Sequence, residues 1–235
     1  MTFYAFADVH GHKAGMDRAL RLIAEDGGAD APLVILGDLV DRGPDSRGVI
    51  ETVVKALDTG RDWTVIRGNH DQLFLDVLGA DATPDRVRRW TGESGGAATL
   101  GSYGLDAEAA IAEPALVRRM VPRAHRALLA SLPHYRVRDG YLFVHAGIAP
   151  GVPLDQQQPQ DMLHIREPFL DFDRPHPWMV LHGHTPLERP QHFGNRINLD
   201  GGAGHGRPLV PAVFEGGEGW LLTEAGRAPL RPPRR

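Results

Sequence analysis

The stretch Leu33-Val34-Ile35-Leu36-Gly37-Asp38-Leu39-Val40-Asp41-Arg42-Gly43 decides how the chain is read. Its first four residues form an apolar, β-branched run of strand length, and polar residues and glycine follow at once. The same order recurs along the chain. Residues 3–7 run into Asp8-Val9-His10, residues 63–66 into Arg67-Gly68-Asn69-His70-Asp71, residues 141–144 into His145-Ala146-Gly147, and residues 178–181 into His182-Gly183-His184-Thr185-Pro186. Each run predicts a strand, and each strand delivers acid, amide or imidazole groups beyond its end.

Helical patterns lie between these strands. Residues 13–24 place Met16, Ala19, Leu20 and Ile23 on one face, and residues 46–57 place Val49, Ile50, Val53 and Leu57 on another. Alternating strand and helix predicts an α/β fold with helices packed on sheet. Residues 76–132 differ: they are rich in Ala, Arg and Gly and read as a helical cap insert within one domain spanning 1–235. Residues 150–177 carry a Gln- and Pro-rich cluster and predict a long surface loop with one helical turn. The segments 197–199, 209–214 and 220–223 read as closing strands, and the tail 231–235 as disordered.

Composition narrows the function. The 235-residue chain has no cysteine, which excludes disulfides, thiolate metal sites and a cysteine nucleophile, and suits the cytoplasm. A formal net charge of -4 argues against a nucleic-acid backbone as the main partner. No apolar run reaches membrane-spanning length, so no membrane partner is expected. The N-terminus has no basic segment ahead of its apolar run and reads as a first strand rather than a signal peptide.

In α/β sheets, ligands gather beyond the carboxyl ends of strands. Carboxylate, imidazole and amide oxygen without thiolate suit a hard or borderline divalent ion. Two ions about 3.5–4 Å apart need a bridging ligand, a role a carboxylate fills, and Asp38 is the natural candidate. In an extended chain Asp8 and His10 point the same way and could grip one ion. His182 and His184 are equally able ligands by chemistry alone.

Together, Asp8-x-His10, Gly37-Asp38-x-x-Asp41-Arg42-Gly43, Gly68-Asn69-His70-Asp71, His145-Ala146-Gly147 and Gly183-His184-Thr185-Pro186 resemble the phosphoprotein phosphatase branch of the calcineurin-like metallophosphoesterases, the bacterial serine/threonine phosphatases above all. The resemblance runs from Phe3 to about Gly202. It implies a four-layer α/β/β/α sandwich and two divalent ions, manganese first, with iron or zinc as alternatives. Asp8, His10 and Asp38 would hold one ion, and Asp38, Asn69, His145 and His184 the other. A metal-bound hydroxide would attack phosphorus, His70 would protonate the leaving group, and Asp41 would orient His70. Arg42, Arg67 and Arg166 would bind phosphoryl oxygens. His164 stands where relatives of this type carry Trp, two residues before Arg166, and Asp71 where they often carry Glu. The Gly-His-Thr-Pro frame selects His184 over His182.

The expected activity is hydrolysis of phosphomonoesters on phosphoserine and phosphothreonine in proteins, or on small phosphate esters. Its first rival is a symmetrical bis(5'-nucleosyl)-tetraphosphate hydrolase, for which Arg88, Arg89 and Trp90 of the insert could supply a subsite. A rival of another class is a phosphate-binding regulatory protein without turnover. A nuclease gains nothing from the acidic balance.

Overall fold

A computed structural model describes residues 2–233, so the last two residues of the tail expected to be disordered lie outside the described chain. The order is β1 (Thr2–Phe6), α1 (Lys13–Gly27), β2 (Leu33–Ile35), α2 (Ser46–Asp58), β3 (Trp63–Val65) and α3 (Asn69–Val77). The segment expected to be an insert follows as α4 (Pro84–Glu93), α5 (Gly96–Ser102), α6 (Ala107–Ala112), α7 (Ala115–Met120) and α8 (Arg123–Ser131). Then come β4 (Tyr135–Arg138), β5 (Tyr141–Val144), α9 (Pro159–His164), β6 (Met179–His182), β7 (Gln191–His192), β8 (Arg196–Asn198), β9 (Ala212–Glu215), β10 (Glu218–Thr223) and β11 (Gly226–Pro229).

The strands form two sheets, ordered β11-β10-β9-β1-β2-β3 and β4-β5-β6-β8-β7. The β1, β2 and β3 trio is parallel, as is the β5, β6 and β8 trio, and antiparallel strands close the edges. Period-two alternation sorts their side chains into layers. Tyr4, Phe6, Leu33 and Ile35 face α1 and α2, while Phe3, Ala5, Val34 and Leu36 face the second sheet. On that sheet Phe143 and Leu181 point inward, and Leu142, Val144 and Val180 pack outward against Ile148, Met162 and Phe169. The result is the expected α/β/β/α layering. The outermost layer is α9 and the loops around it rather than a row of long helices.

The five predicted strands of the motifs lie within a residue of their expected bounds. Three further strands have no sequence expectation: β4, β7 and β11. Each is at a sheet edge, short, and carries charged or polar residues that blur the apolar signal. The closing strands also divide, because β8 pairs with β6 in the second sheet while β9 and β10 return to the first.

The insert shares its core with the main body. Val87, Trp90, Leu100, Val117 and Leu129 belong to the same apolar cluster as Tyr4, Met16 and Ile50. Trp90 stacks on Phe74 of α3, ring centroids 5.2 Å apart and 13° from parallel. Tyr103 Oη lies 2.8 Å from His125 Nδ1, and His125 Nε2 lies 2.7 Å from Glu51 Oε2, tying α8 to α2.

Phe3 carries the contact between the sheets. Its ring stacks on Phe214 at 5.0 Å and meets Tyr141 and Phe143 edge-on at 5.0 and 5.3 Å. Phe3→Ala should therefore lower unfolding free energy by about 3–5 kcal/mol, the range for emptying a packed aromatic site. Urea denaturation reads this directly; a loss under about 1 kcal/mol would mean that the sheets do not depend on this ring.

Candidate metal and phosphate site

The carboxyl ends of β1, β2, β3, β5 and β6 open at one edge, where the loops after them bring the predicted residues together. Asp38 lies at the junction. Its Oδ2 is 3.4 Å from His10 Nε2, its Oδ1 is 3.5 Å from His145 Nε2, and Oδ1 also accepts the His70 backbone N–H at 2.9 Å. Asn69 Oδ1 lies 2.9 Å from both His145 Nε2 and His184 Nδ1. The Asp8 carboxylate accepts the His184 backbone N–H at 3.1–3.2 Å. Gly183 is required here, because a Cβ at that position would run into the Asp8 carboxylate.

The grouping cuts across the expected sets: Asp8 falls with His145, His70 falls with His10, and His184 falls in neither group of three. Asp8, Asp38 and His145 offer ligand atoms within 4.8 Å of one another, and so do His10, Asp38 and His70. Asp38 is shared, as a bridging ligand requires. Asp8 and His10 fall in different groups. The extended-chain argument for this pair does not hold, because β1 ends at Phe6 and both residues are left-handed, with φ of 55° and 46°. They converge through a tight loop and not through strand pleat.

That backbone conformation is a feature of the whole site. Among the described residues, the non-glycine positions with positive φ are Asp8, His10, Asp38, Asp41, Arg42, Asp139 and His184, and all but Asp139 are predicted site residues. Left-handed backbone costs energy for residues with a Cβ and persists only where the surrounding structure imposes it.

The donor set fits divalent cations. His10 Nδ1 donates to Val40 O at 3.0 Å and His145 Nδ1 to Leu36 O at 2.8 Å, which leaves Nε2 of each ring facing the cluster. Burial holds His10 and His184 down to about 3, so both imidazoles are neutral, the form that binds metal. The Asp8 carboxyl is pushed upward by burial and then by Asp200 and Asp38. Carboxylates crowded out of solvent in this way are the electrostatic complement of a cation.

His70 is different. Burial alone would lower it, but the Asp38 carboxylate and the hydrogen bond to Asp41 outweigh burial and hold it above its ordinary value. His70 Nδ1 lies 2.7 Å from Asp41 Oδ2, and His70 Nε2 lies 3.2 Å from Arg42 Nη2. Asp71 braces the backbone. Its carboxylate accepts N–H groups from Asp38, Leu39 and Gly68 at 2.8–3.0 Å, tying the loop after β2 to the start of α3.

The remaining predicted residues separate. Arg166 is exposed and close enough to His184 to lower its basicity. Arg67 is turned to other partners: Nη1 donates to Gln72 Oε1 at 2.8 Å, and Nη2 to Leu129 O and Ala130 O at 3.2 and 3.0 Å. Its guanidinium thus caps the end of α8. His182 is fully buried, donating from Nδ1 to Gly183 O at 3.0 Å and stacking edge-on against Phe169 at 5.1 Å. Trp90 is 2 % exposed and cannot offer a face to a base. Sequence reasoning missed Thr99, whose hydroxyl donates to Asp41 Oδ1 at 2.8 Å, and it gave no role to the buried Asp200.

The profile of the calcineurin-like phosphoesterases matches residues 1–206. This chain belongs to that family. Its enzymes are phosphoric ester hydrolases that use divalent metals, which accords with the buried carboxylate–imidazole cluster. Among relatives of this phosphoesterase, serine/threonine-protein phosphatase 1 of Salmonella typhimurium is 29% identical over 225 residues, covering 90% of this chain and 91% of that protein. The symmetrical bis(5'-nucleosyl)-tetraphosphatase of Nitrosomonas europaea is 29% identical over 161 residues; the match spans 67% of this chain and only 49% of that relative. The fold resembles the cold-active protein-tyrosine phosphatase of a Shewanella species, with a TM-score of 0.62 at 19% identity over 98% of this chain and 80% of that one. No helix among the described residues is long and apolar enough to cross a membrane.

Because Asp38 faces both halves of the cluster, Asp38→Ala should lose metal and activity together, more completely than His10→Ala or His184→Ala. Metal analysis of purified protein reads this, and two ions per chain in the Asp38→Ala protein would remove the bridging assignment.

Proposed function

We propose that this phosphoesterase hydrolyses phosphomonoesters with two divalent ions, manganese first, and that its substrates are phosphoserine and phosphothreonine in proteins. The observation that carries the reading is the buried Asp41–His70 pair beside an Asp- and His-rich cluster whose two halves share Asp38. Asp8, His10, Asp38, Asn69, His145 and His184 are the proposed ligands. When bound, the ions neutralise phosphoryl charge and bring water closer to ionisation at neutral pH.

The chain's own side chains account for the rest. Arg42 lies against His70 with a guanidinium whose fork matches phosphate oxygens. It orients the ester so that water attacks phosphorus opposite the leaving oxygen. As the bond to that oxygen breaks, His70 gives it a proton from Nε2. Asp41 holds Nδ1 and keeps the ring aimed. Arg166, exposed near His184, is the proposed second phosphate contact. Arg67 could join them only by giving up Gln72 and the α8 carbonyls, so Arg42 carries the greater part.

Two observations favour a phosphomonoester over a dinucleoside tetraphosphate. The insert aromatics Trp90 and Tyr103 are buried, 2 % and 4 % exposed, so neither can stack on a base. Three of the insert arginines have other partners: Arg88 pairs with Asp85, Arg119 with Glu113, and Arg118 caps Leu78 O.

Two measurements test this. His70→Ala should keep its metals and lose roughly 10²–10⁴-fold in kcat on a phosphoserine peptide, with a smaller loss on p-nitrophenyl phosphate, whose leaving group needs no proton. Equal losses on both would remove His70 as the acid. Wild-type kcat/KM should be higher for phosphopeptides or p-nitrophenyl phosphate than for diadenosine tetraphosphate. A tenfold preference for the dinucleotide would replace the protein-phosphatase reading with the tetraphosphatase one.

A further inference from the structure

Asp41 is completely buried, yet it holds its carboxylate next to a histidine at the edge of the site. A buried carboxylate needs donors for both oxygens. His70 supplies one. The others come from the insert, from residues about fifty positions further along. Trp90 Nε1 donates to Asp41 Oδ2 at 2.9 Å and lies 3.1 Å from Oδ1, and Thr99 Oγ1 donates to Oδ1 at 2.8 Å. The backbone is held as well: the Asp41 N–H reaches Thr99 Oγ1 at 2.9 Å and Ser46 Oγ at 3.1 Å, and the Arg42 N–H donates to Gly95 O at 3.1 Å.

Local sequence explains how α4 and α5 can do this. Trp90 lies in the last turn of α4, clamped flat on Phe74 of α3. Gly95 adopts φ of 85° between the helices and turns its carbonyl toward Arg42. Gly96 has no Cβ, and one added there would meet the Trp90 ring. The chain can therefore fold back over the indole and bring Thr99, fully buried, onto Asp41. The segment Trp90-x-x-x-x-Gly95-Gly96-x-x-Thr99 acts as one clamp, with two side-chain donors on the carboxylate and two backbone ties on a left-handed loop.

We propose that Trp90 and Thr99 are positioning residues that fix Asp41, and through it His70, for proton delivery to the leaving group. The proposal rests on the reading of Asp41 and His70 as the proton-delivering pair. It involves the insert in the chemistry itself: with the clamp removed, Asp41 keeps His70 as its remaining side-chain donor, and the carboxylate loses the two donors that fix its own angle to the imidazole.

The test uses three substitutions in the metal-loaded enzyme. Trp90→Phe keeps a ring on Phe74 and removes the N–H. Thr99→Val keeps the shape and removes the hydroxyl, and Thr99→Ser restores it. Trp90→Phe and Thr99→Val should each lower kcat on a phosphoserine peptide by about tenfold, the scale of one lost hydrogen bond to a charged group. KM should stay within about twofold, the loss on p-nitrophenyl phosphate should be smaller, and Thr99→Ser should return most of the activity. Equal losses on the two substrates, or a Thr99→Ser enzyme no better than Thr99→Val, would overturn the positioning role. A second readout does not use activity. The Trp90 indole N–H resonance, assigned with Trp90→Phe, should lie downfield of those of Trp63, Trp178 and Trp220 and move upfield in Asp41→Asn. A resonance that Asp41→Asn leaves in place would overturn the clamp whatever the kinetics. If His70→Ala itself loses equally on both substrates, the acid assignment falls, and the resonance still decides whether the insert grips Asp41.

Discussion

Asp38 sits where the loops after β1, β2, β3 and β5 meet, buried and within 3.5 Å of imidazoles from two of them. Nearly everything else at the site is arranged so that this carboxylate can stay there. Asp71 takes its backbone N–H, its own Oδ1 takes the N–H of His70, and the His10 N–H donates to its carbonyl. Such a group out of water is tolerable only if hydrogen bonds and a nearby positive charge compensate for lost solvation. Here the hydrogen bonds come from the protein, and a divalent ion is the charge that suits the acid- and imidazole-rich surroundings. The left-handed backbone at Asp8, His10, Asp38, Asp41, Arg42 and His184 is the strain accepted to bring these groups to one point.

Much of this was legible from sequence because the signal is local. Strand-length apolar runs ending in Asp, Asn or His mark both the sheet and its carboxyl edge, and the motif residues Asp8, His10, Asp38, Asn69, His70, His145 and His184 all converge there. What was not legible depends on contacts distant in sequence. Nothing near Arg67 tells that its guanidinium reaches Leu129 and Ala130 carbonyls. Asp8 and His10 look extended because the spacing of two suits a strand; in the fold both are left-handed and their N–H groups donate to Gly37 O and Asp38 O of the loop after β2. Strands β4, β7 and β11 escape notice because edge strands need no apolar face on both sides.

The insert shows the same limit most clearly. By composition, residues 76–132 read as a helical cap insert, and Trp90 as a ring that could supply a subsite under the rival reading. In the fold that ring lies on Phe74 and its N–H on Asp41, so a residue with a plausible binding role is committed to holding another side chain. The two glycines after α4 carry the only local hint, since a Gly-Gly pair between helices marks a place where backbone must pass close to something large.

The spread of the site along the chain bears on how the protein comes into being at the ribosome. Asp8 and His184 stand 176 residues apart, so Asp8 is made well before His184. A chain synthesised from its N-terminus at ordinary elongation rates of about 5–20 residues per second spends several seconds with Asp8, His10, Asp38 and Asp41 already made and the later partners absent. During that interval the loops after β1 and β2 lack Thr99, Trp90, His145 and the His184 backbone, and with them the contacts that hold their left-handed turns. Full assembly of the site therefore follows synthesis of the second sheet, and a nascent chain that stops before His145 carries acidic and imidazole groups without the partners that order them in the fold.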